Sequence, residues 1–397
     1  MSEIKVNSIK GVGASTAAIT VNNTDGTCTA NITNNLSNRN LIINGAMQVA
    51  QRGTTSTAND YLIDRFRFSY GGTDEAPTQA QVDVASGTTP YTLGFKKALK
   101  ITNGNQTSGA GAADFLEFYQ YLEDQDISNS GWNFKSSSSY ITISYWVKSS
   151  VAQKFTGFFY TNQAGAGDSY MYSYQIDNGS GGNLTADTWT KITHSIPGNS
   201  NLIFNNDNTR GLAIGFYMFE GTDYSTSSHT ENTWAAWNSS NKIKDMTSTW
   251  YTTNDATFEI TGVQLEVGSV ATDFEHLSFA DELRRCQRYY YVYADARDSG
   301  STAQLATGFA YHNGQAEVTI HYPVMRASPS LVQGSGTDYF KVINSNNNDT
   351  FDSFSIYQAS PRVALLFNQS LSGLTAGQAY RLHFNENAAY IHLSAEL

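Results

Sequence analysis

The sequence predicts a mainly β protein. A jelly-roll-like β-sandwich and a smaller C-terminal β-domain are joined by one short α-helix, and an extended β arm precedes them. Three observations carry this. Short runs of alternating apolar residues recur from residue 40 onward, as in Ile141, Ile143, Tyr145 and Val147, and again in Tyr170, Tyr172, Tyr174 and Ile176. The stretches between them, such as D-N-G-S-G-G-N at 177–183 and N-N-D-N-T at 205–209, are built from turn-forming residues. The apolar period changes from two to about 3.6 at one place, just beyond Gly268.

Residues 1–40 form the arm. I-K-V-N-S-I at 4–9 and A-A-I-T-V at 17–21 alternate like strands, with Asn23-Thr24-Asp25-Gly26 among the turns. Strands this short bury no core by themselves, so the arm pairs with copies of itself or with another protein, or else stays a disordered polar tail. The sandwich is placed at 41–275. F-T-G-F-F-Y at 155–160 and W-T-K-I-T-H-S-I at 189–196 read as strands. G-L-A-I-G-F-Y-M-F at 211–219 is apolar on both faces, as a central strand is.

The last sandwich strand leads into the helical connector, placed at 276–293. Phe258 and Ile260 share a face, the alternation slips at Thr261-Gly262, and Val263, Leu265 and Val267 resume it, which predicts a β-bulge. Phe279, Leu283, Cys286 and Tyr290 then recur at steps of four, three and four, one side of a helix. Ser278 is the expected N-cap, with Asp281 and Glu282 in the first turn and Arg284, Arg285 and Arg288 later, complementing the helix dipole. Tyr289 to Tyr293 read as a new strand. Residues 294–397 hold further strands at Glu317–Tyr322, Phe340–Asn344, Val363–Phe367 and Ala379–Phe384.

Composition narrows the function. Charged residues are 15% of the 397, aromatics 13%, and the net charge is −11, so the chain lacks the basic face that nucleic acid or an anionic membrane requires. No apolar run approaches a membrane span, and M-S-E-I-K-V-N-S-I-K has no signal-peptide core. Two cysteines, Cys28 and Cys286, make neither a disulfide framework nor a zinc site, and Cys286 reads as buried filler. No cofactor is expected.

Several blocks carry a resemblance. N-L-I-I-N-G-A-M-Q-V-A-Q-R-G at 40–53, D-R-F at 64–66, S-Y-W-V-K-S-S at 144–150 and A-D-T-W-T-K-I-T-H-S-I-P-G at 186–198 are four. N-T-W at 232–234, I-T-G-V-Q-L-E-V-G-S-V-A-T at 260–272 and F-E-H-L-S-F-A-D-E-L-R-R-C-Q-R-Y-Y at 274–290 complete them. Together they resemble phage tail-fibre and related virion proteins, of cyanophage or marine-phage kind. The resemblance implies a virion surface component, often trimeric, made in the host cytoplasm. Its arm would attach to other tail proteins, and its β-domain loops would meet a host-surface glycan or protein. It transfers no site residue.

The residues themselves offer little catalytic chemistry. His194, His229, His276, His312, His321, His383 and His392 make no metal-binding spacing. Glu117, Glu123, Asp124 and Asp126 cluster, and a polysaccharide hydrolase needs two carboxylates across a cleft, but a solvated loop after a strand accounts for them more simply. Asp25, Asp177 and Asp207 lie in loops where turn chemistry is a sufficient reason for an acid. The better candidates are aromatic. Trp234, Trp237, Trp250 and Tyr251 stand in polar, loop-like surroundings, T-E-N-T-W-A-A-W-N and T-W-Y-T. Flat rings beside Asn donors suit sugar recognition; the same rings also suit a sandwich plug or a trimer contact. The reading is therefore a non-enzymatic tail fibre or tail-associated adhesin, a homotrimer with Phe279, Leu283, Cys286 and Tyr290 at its helical contact. The rivals are a virion structural protein that touches no receptor and a polysaccharide depolymerase.

Overall fold

The computed structural model describes residues 6–10, 12, 19–21, 28–30, 38–161, 169–300, 302–344 and 348–397. Two six-stranded antiparallel sheets face each other as a jelly-roll-like sandwich. One runs in the order Ala235–Ala236, Tyr170–Ile176, Phe155–Thr161, Arg210–Glu220, Phe115–Glu123, Arg67–Gly71. The other runs Thr190–Pro197, Tyr140–Ser149, Thr257–Val267, Lys97–Thr102, Thr78–Asp83, Thr55–Ser56. Rings fill the space between. Phe118 stacks on Phe216 at 4.8 Å, and Tyr145 meets Phe216 edge-on at 4.9 Å.

The phase change at Gly262 is a bulge. Pairing with Tyr140–Ser149 shifts between Thr261 and Gln264, and Gly262 takes φ +67°, where a side chain would also strike the Phe95 ring. Phe258, Ile260, Val263 and Leu265 accordingly all reach the core, while Val267 at the strand's end is exposed.

The N-terminal strands Ser8–Ile9, Ile19–Val21 and Cys28–Ala30 pair with one another as a small antiparallel sheet. The rest of the arm, Asn23-Thr24-Asp25-Gly26 included, lies outside the described residues.

The helix spans Phe279–Gln287, capped as expected: the Asp281 amide donates to Ser278 Oγ at 3.2 Å and Ser278 Oγ donates to Asp281 Oδ2 at 2.6 Å. The trimer contact is corrected here. Cys286 and Tyr290 are buried within the chain itself, and Leu283 packs against the cluster of Ile43, Val49, Cys286, Tyr289 and Leu397. The helical stripe is consumed by the N-L-I-I-N-G segment, leaving Phe279, 56% exposed, as the member of the four that faces solvent. Asn44 makes this docking possible. It adopts φ 62°, tolerable for Asn, and its amide donates to Glu282 Oε1 at 2.6 Å.

The strand after the helix, Tyr290–Asp295, pairs with Tyr390–Ser394, so the last residues of the 276–293 connector already belong to the C-terminal unit. That unit combines a three-stranded sheet with a seven-stranded one around Phe340, Phe351, Phe354 and Phe384. It is tied to the sandwich by charge. Arg52 and Arg65 both pair with Glu396, and the Tyr61 hydroxyl donates to Leu397 O at 2.9 Å.

Candidate functional site

The sheet containing Phe115–Glu123 turns one face into the core and one outward, and its register decides which side chains share the outer face. Arg67, Tyr119, Gly215, Phe158 and Ser173 lie opposite one another across five strands. On one side of this row come Ser69, Glu117, Tyr217, Thr156 and Gln175. On the other come Tyr121, Ala213, Tyr160, Met171 and Ala235. Because side chains alternate, the residues between them, Phe118, Phe216, Phe159 and Tyr172 among them, belong to the core.

Small residues make room for rings to lie down. A Cβ on Gly215 would sit 2.3 Å from the Phe158 ring and 2.7 Å from Tyr119 Cβ, so Phe158 rests on the sheet there and stacks on Tyr217 at 4.4 Å. The long segment between Glu220 and Thr257 then crosses this face. Ile243 is wholly buried against Phe158, Met171, Ala213 and Tyr217, and fixes the segment in place. Trp237 follows as a wall, 44% exposed, its ring centroid 6.1 Å from that of Tyr160. What remains open is a cleft of about 190 Å³ lined by Glu117, Tyr119, Tyr121, Tyr160, Trp237 and Lys242.

The cleft's lysine is tied to a carboxylate buried beneath the lining. Lys242 Nζ donates to Glu220 Oε2 at 3.3 Å, while Glu220 Oε1, in a side chain 1% exposed, has no hydrogen-bond partner among the described residues. Burial pushes the Glu220 carboxyl well above the ordinary range, Lys242 opposes this, and repulsion from Glu117 adds to it. Burial likewise raises Glu117 against the pull of Lys242 and Arg67. Burial holds the Tyr119 and Tyr121 hydroxyls up at about 12, so both keep their protons at neutral pH. The cleft thus offers ring faces, phenol donors, an ammonium and a carboxyl acceptor in one place.

Of the four aromatic residues singled out in the sequence, Trp237 lies in this cleft. The other three are corrected: they are core. Trp234 Nε1 donates to Pro197 O at 2.8 Å and its ring packs on Tyr172. Trp250 is 0% exposed and donates to Thr257 O at 3.0 Å. Tyr251 stacks on Phe219 at 4.4 Å. Their polar neighbours face solvent, while Trp234 packs at the Tyr140–Pro197 end of the sandwich and Trp250 and Tyr251 at the opposite, Ser149–Thr257 end.

The acidic cluster is not a solvated loop. Glu117 is on the outer sheet face, Glu123 is buried beneath Arg288, and Asp124 Oδ2 accepts from the Asn205 amide at 2.7 Å. Asp177 and Asp207 accept from Gly179 and Thr209 amides at 2.7 and 2.8 Å, closing turns; Asp25 lies outside the described residues. Among the described residues no three His, Cys, Asp or Glu side chains group as a metal site. Sequence reasoning missed Tyr119, Tyr121, Tyr160 and Lys242. The signal present was aromatic residues at two-residue steps in F-L-E-F-Y-Q-Y-L-E.

Searched against known proteins, the chain matches no family model and no curated protein. Solved structures share parts of its shape. A putative sugar binding protein from Bacteroides thetaiotaomicron is 12% identical, with 58% of this chain and 100% of that one covered at a TM-score of 0.32. TmCBM61, solved with β-1,4-galactotriose, is 8% identical over 58% of this chain and 99% of its own, at 0.26. The CBM22-1 xylan-binding domain of Paenibacillus barcinonensis Xyn10C is 12% identical over 58% and 96%, at 0.27. At TM-scores this low the likeness carries no argument about what this chain binds.

Proposed function

We propose that this chain is a non-catalytic glycan-binding adhesin of a phage particle, with the outer-face cleft as its sugar site. One observation carries the sugar reading. Tyr121 and Tyr160 flank Ala213 in a single row, the Trp237 ring stands 6.1 Å from that of Tyr160, and Glu117 and Lys242 stand beside the half-exposed rings. The CH groups of a pyranose stack on such faces, while its hydroxyls donate to a carboxylate and accept from phenols and an ammonium. A hydrolase needs two carboxylates at the scissile bond, and Glu117 is the one carboxylate among the described residues lining the cleft, which favours binding over cleavage.

Placement on the particle rests on the resemblance of the blocks at 40–53 and 274–290 to tail-fibre proteins, with residues 1–40 as the attaching arm. A trimer belongs to the same resemblance. Since Cys286 and Tyr290 are enclosed by their own protomer, its seam would lie away from this helix, and light scattering measures the state. Several copies on one particle would act by avidity.

The test is binding of Tyr160→Ala and Trp237→Ala to host surface polysaccharide. Each ring face is worth about tenfold in affinity, so both variants bind markedly less. Undiminished binding by folded variants removes the cleft from consideration. Release of reducing ends by the wild-type protein would instead establish the depolymerase. Immunogold labelling of particles checks the location.

A further inference from the structure

The second sheet of the sandwich, the one edged by Thr190–Pro197, has an outer face of its own. Ile143, Tyr145 and Val147 point into the core, so alternation turns Ser144 and Trp146 outward. Lys191, Trp146 and Thr261 lie opposite one another across three strands. Beside Thr261 is Gly262, where the Phe95 ring fills the place a side chain would take. Phe95 contacts Phe274 at 4.9 Å and His276 at 5.1 Å, and those two rings meet at 4.9 Å. His276 Nε2 donates to Leu93 O at 2.9 Å, so the three rings stand as a fixed wall. A cleft of about 240 Å³ opens here, its lining including Leu93, Phe95, Trp146, Lys191, Asp273 and Phe274. It shares no lining residue with the outer-face cleft, which belongs to the opposite sheet.

Trp146 is the unspent group. The core tryptophans Trp132, Trp234 and Trp250 each donate the indole N–H to a carbonyl, at 3.2, 2.8 and 3.0 Å. Trp146 is half-buried, packed in part on the small cluster around Phe95 and Ala98, and its Nε1 has no hydrogen-bond partner among the described residues. Nor does any other ring or cation among them lie on the indole. An aromatic ring that keeps both an open edge and an unused donor beside a cleft is suited to a ligand that is apolar on one side and polar on the other.

Two charges in the lining are also uncommitted. Lys191 is exposed and makes no ion pair or hydrogen bond among the described residues. The exposed Asp273 carboxylate makes none either, although Asp273 O accepts from the Arg39 side chain and from Gln264 Nε2, which fixes that stretch of backbone. One free ammonium and one free carboxylate cancel, so the cleft favours a neutral ligand over an ion. The rings around them call for more apolar surface than sugar hydroxyls provide. An acetamido group supplies a methyl for the rings, an N–H for the carboxylate, and a carbonyl for the indole or the ammonium.

We propose that this cleft is a second binding site, taking one N-acetylated sugar residue whose acetamido group lies between Trp146 and the Phe95–Phe274 wall, with its N–H on Asp273. The site is independent of the outer-face cleft, so either can bind without the other.

The experiment is a titration of the full chain, labelled with ¹⁵N-tryptophan, with the methyl glycosides of N-acetylglucosamine and N-acetylgalactosamine, and with those of glucose and galactose. Trp146→Phe and Trp237→Ala assign the two indole signals. The expected result is a saturable shift of the Trp146 signal with at least one N-acetylated glycoside, and binding at least about tenfold weaker with its counterpart lacking the acetamido group. Asp273→Ala, a change at an exposed side chain, should weaken the shift about tenfold, while Trp237→Ala leaves it unchanged. The Trp237 signal reports the outer-face cleft in the same spectra, so failure of one site is seen apart from failure of the other. A Trp146 signal unmoved by both N-acetylated glycosides, moved equally by glucose and galactose, or indifferent to Asp273→Ala overturns the proposal.

Discussion

The Glu123 carboxylate receives Arg288 through two parallel hydrogen bonds, Nε to Oε1 at 2.6 Å and Nη2 to Oε2 at 2.7 Å. The Tyr289 hydroxyl donates to the same carboxylate at 2.6 Å. Glu123 ends the strand that carries Tyr119 and Tyr121, and Arg288 follows the helix, so this pair links the sugar-site sheet to the connector. Burial pushes the carboxyl up, but the hydrogen bonds from Arg288 and Tyr289 more than offset it and hold it below its usual value.

Glu123→Gln should destabilise the protein by about 3 kcal/mol, because it leaves a half-buried guanidinium without its counter-charge. Urea denaturation followed by tryptophan fluorescence measures this. Arg288→Lys with Glu123 intact should cost less, since a point charge keeps the pair but not the two-pronged geometry of the fork.

Gly215→Ala should cost about 2 kcal/mol and reduce glycan binding together. The added methyl meets the Phe158 ring and Tyr119 Cβ, so the ring must lift off the sheet into the cleft floor. Thermal unfolding and a binding titration on the same preparation separate the two effects. Loss of stability with binding intact would mean that the floor does not shape the ligand site.

Trp237 and Trp250 should respond oppositely. Trp250→Ala removes a fully buried ring and its bond to Thr257, for a loss of about 4 kcal/mol. Trp237→Ala leaves stability within about 0.5 kcal/mol and acts on binding instead. The contrast marks where sequence reading stops. The bulge at Gly262 and the Ser278 cap were legible because each is a local event: a slip in alternation, a hydroxyl three residues before an acid. Trp237 and Trp250 look alike in the chain, both flanked by Thr, Asn and Ser, and they part company only when the 221–256 segment folds back over the sheet. Tyr119 and Tyr121 were hidden for a related reason. Their strand carries rings on both faces, Phe118 inward and Tyr119 outward, so alternation gives no polarity from which to pick the open side. The helical stripe failed differently: its apolar period was real, and a segment more than 200 residues earlier covers it.

Acid should weaken the junction between the two units through His392. Burial lowers this imidazole from 6.5 to about 4, against the opposing pull of Asp295. The folded protein therefore holds the ring neutral while the unfolded chain takes up a proton below pH 6.5. Stability from this group is fully present above pH 6.5 and is lost as pH falls toward 4, by at most roughly 3 kcal/mol. His194, stacked on Tyr174 at 4.4 Å and also lowered to about 4 by burial, adds a slope of the same sign within the sandwich. Between pH 7 and pH 5 the raised carboxyls of Glu117 and Glu220 contribute a slope of opposite sign. The test is therefore the difference from wild type in urea midpoints: His392→Gln should remove the His392 share and His194→Gln the His194 share. Identical slopes in the wild-type protein and the His392→Gln variant would show that the junction imidazole does not change protonation on unfolding.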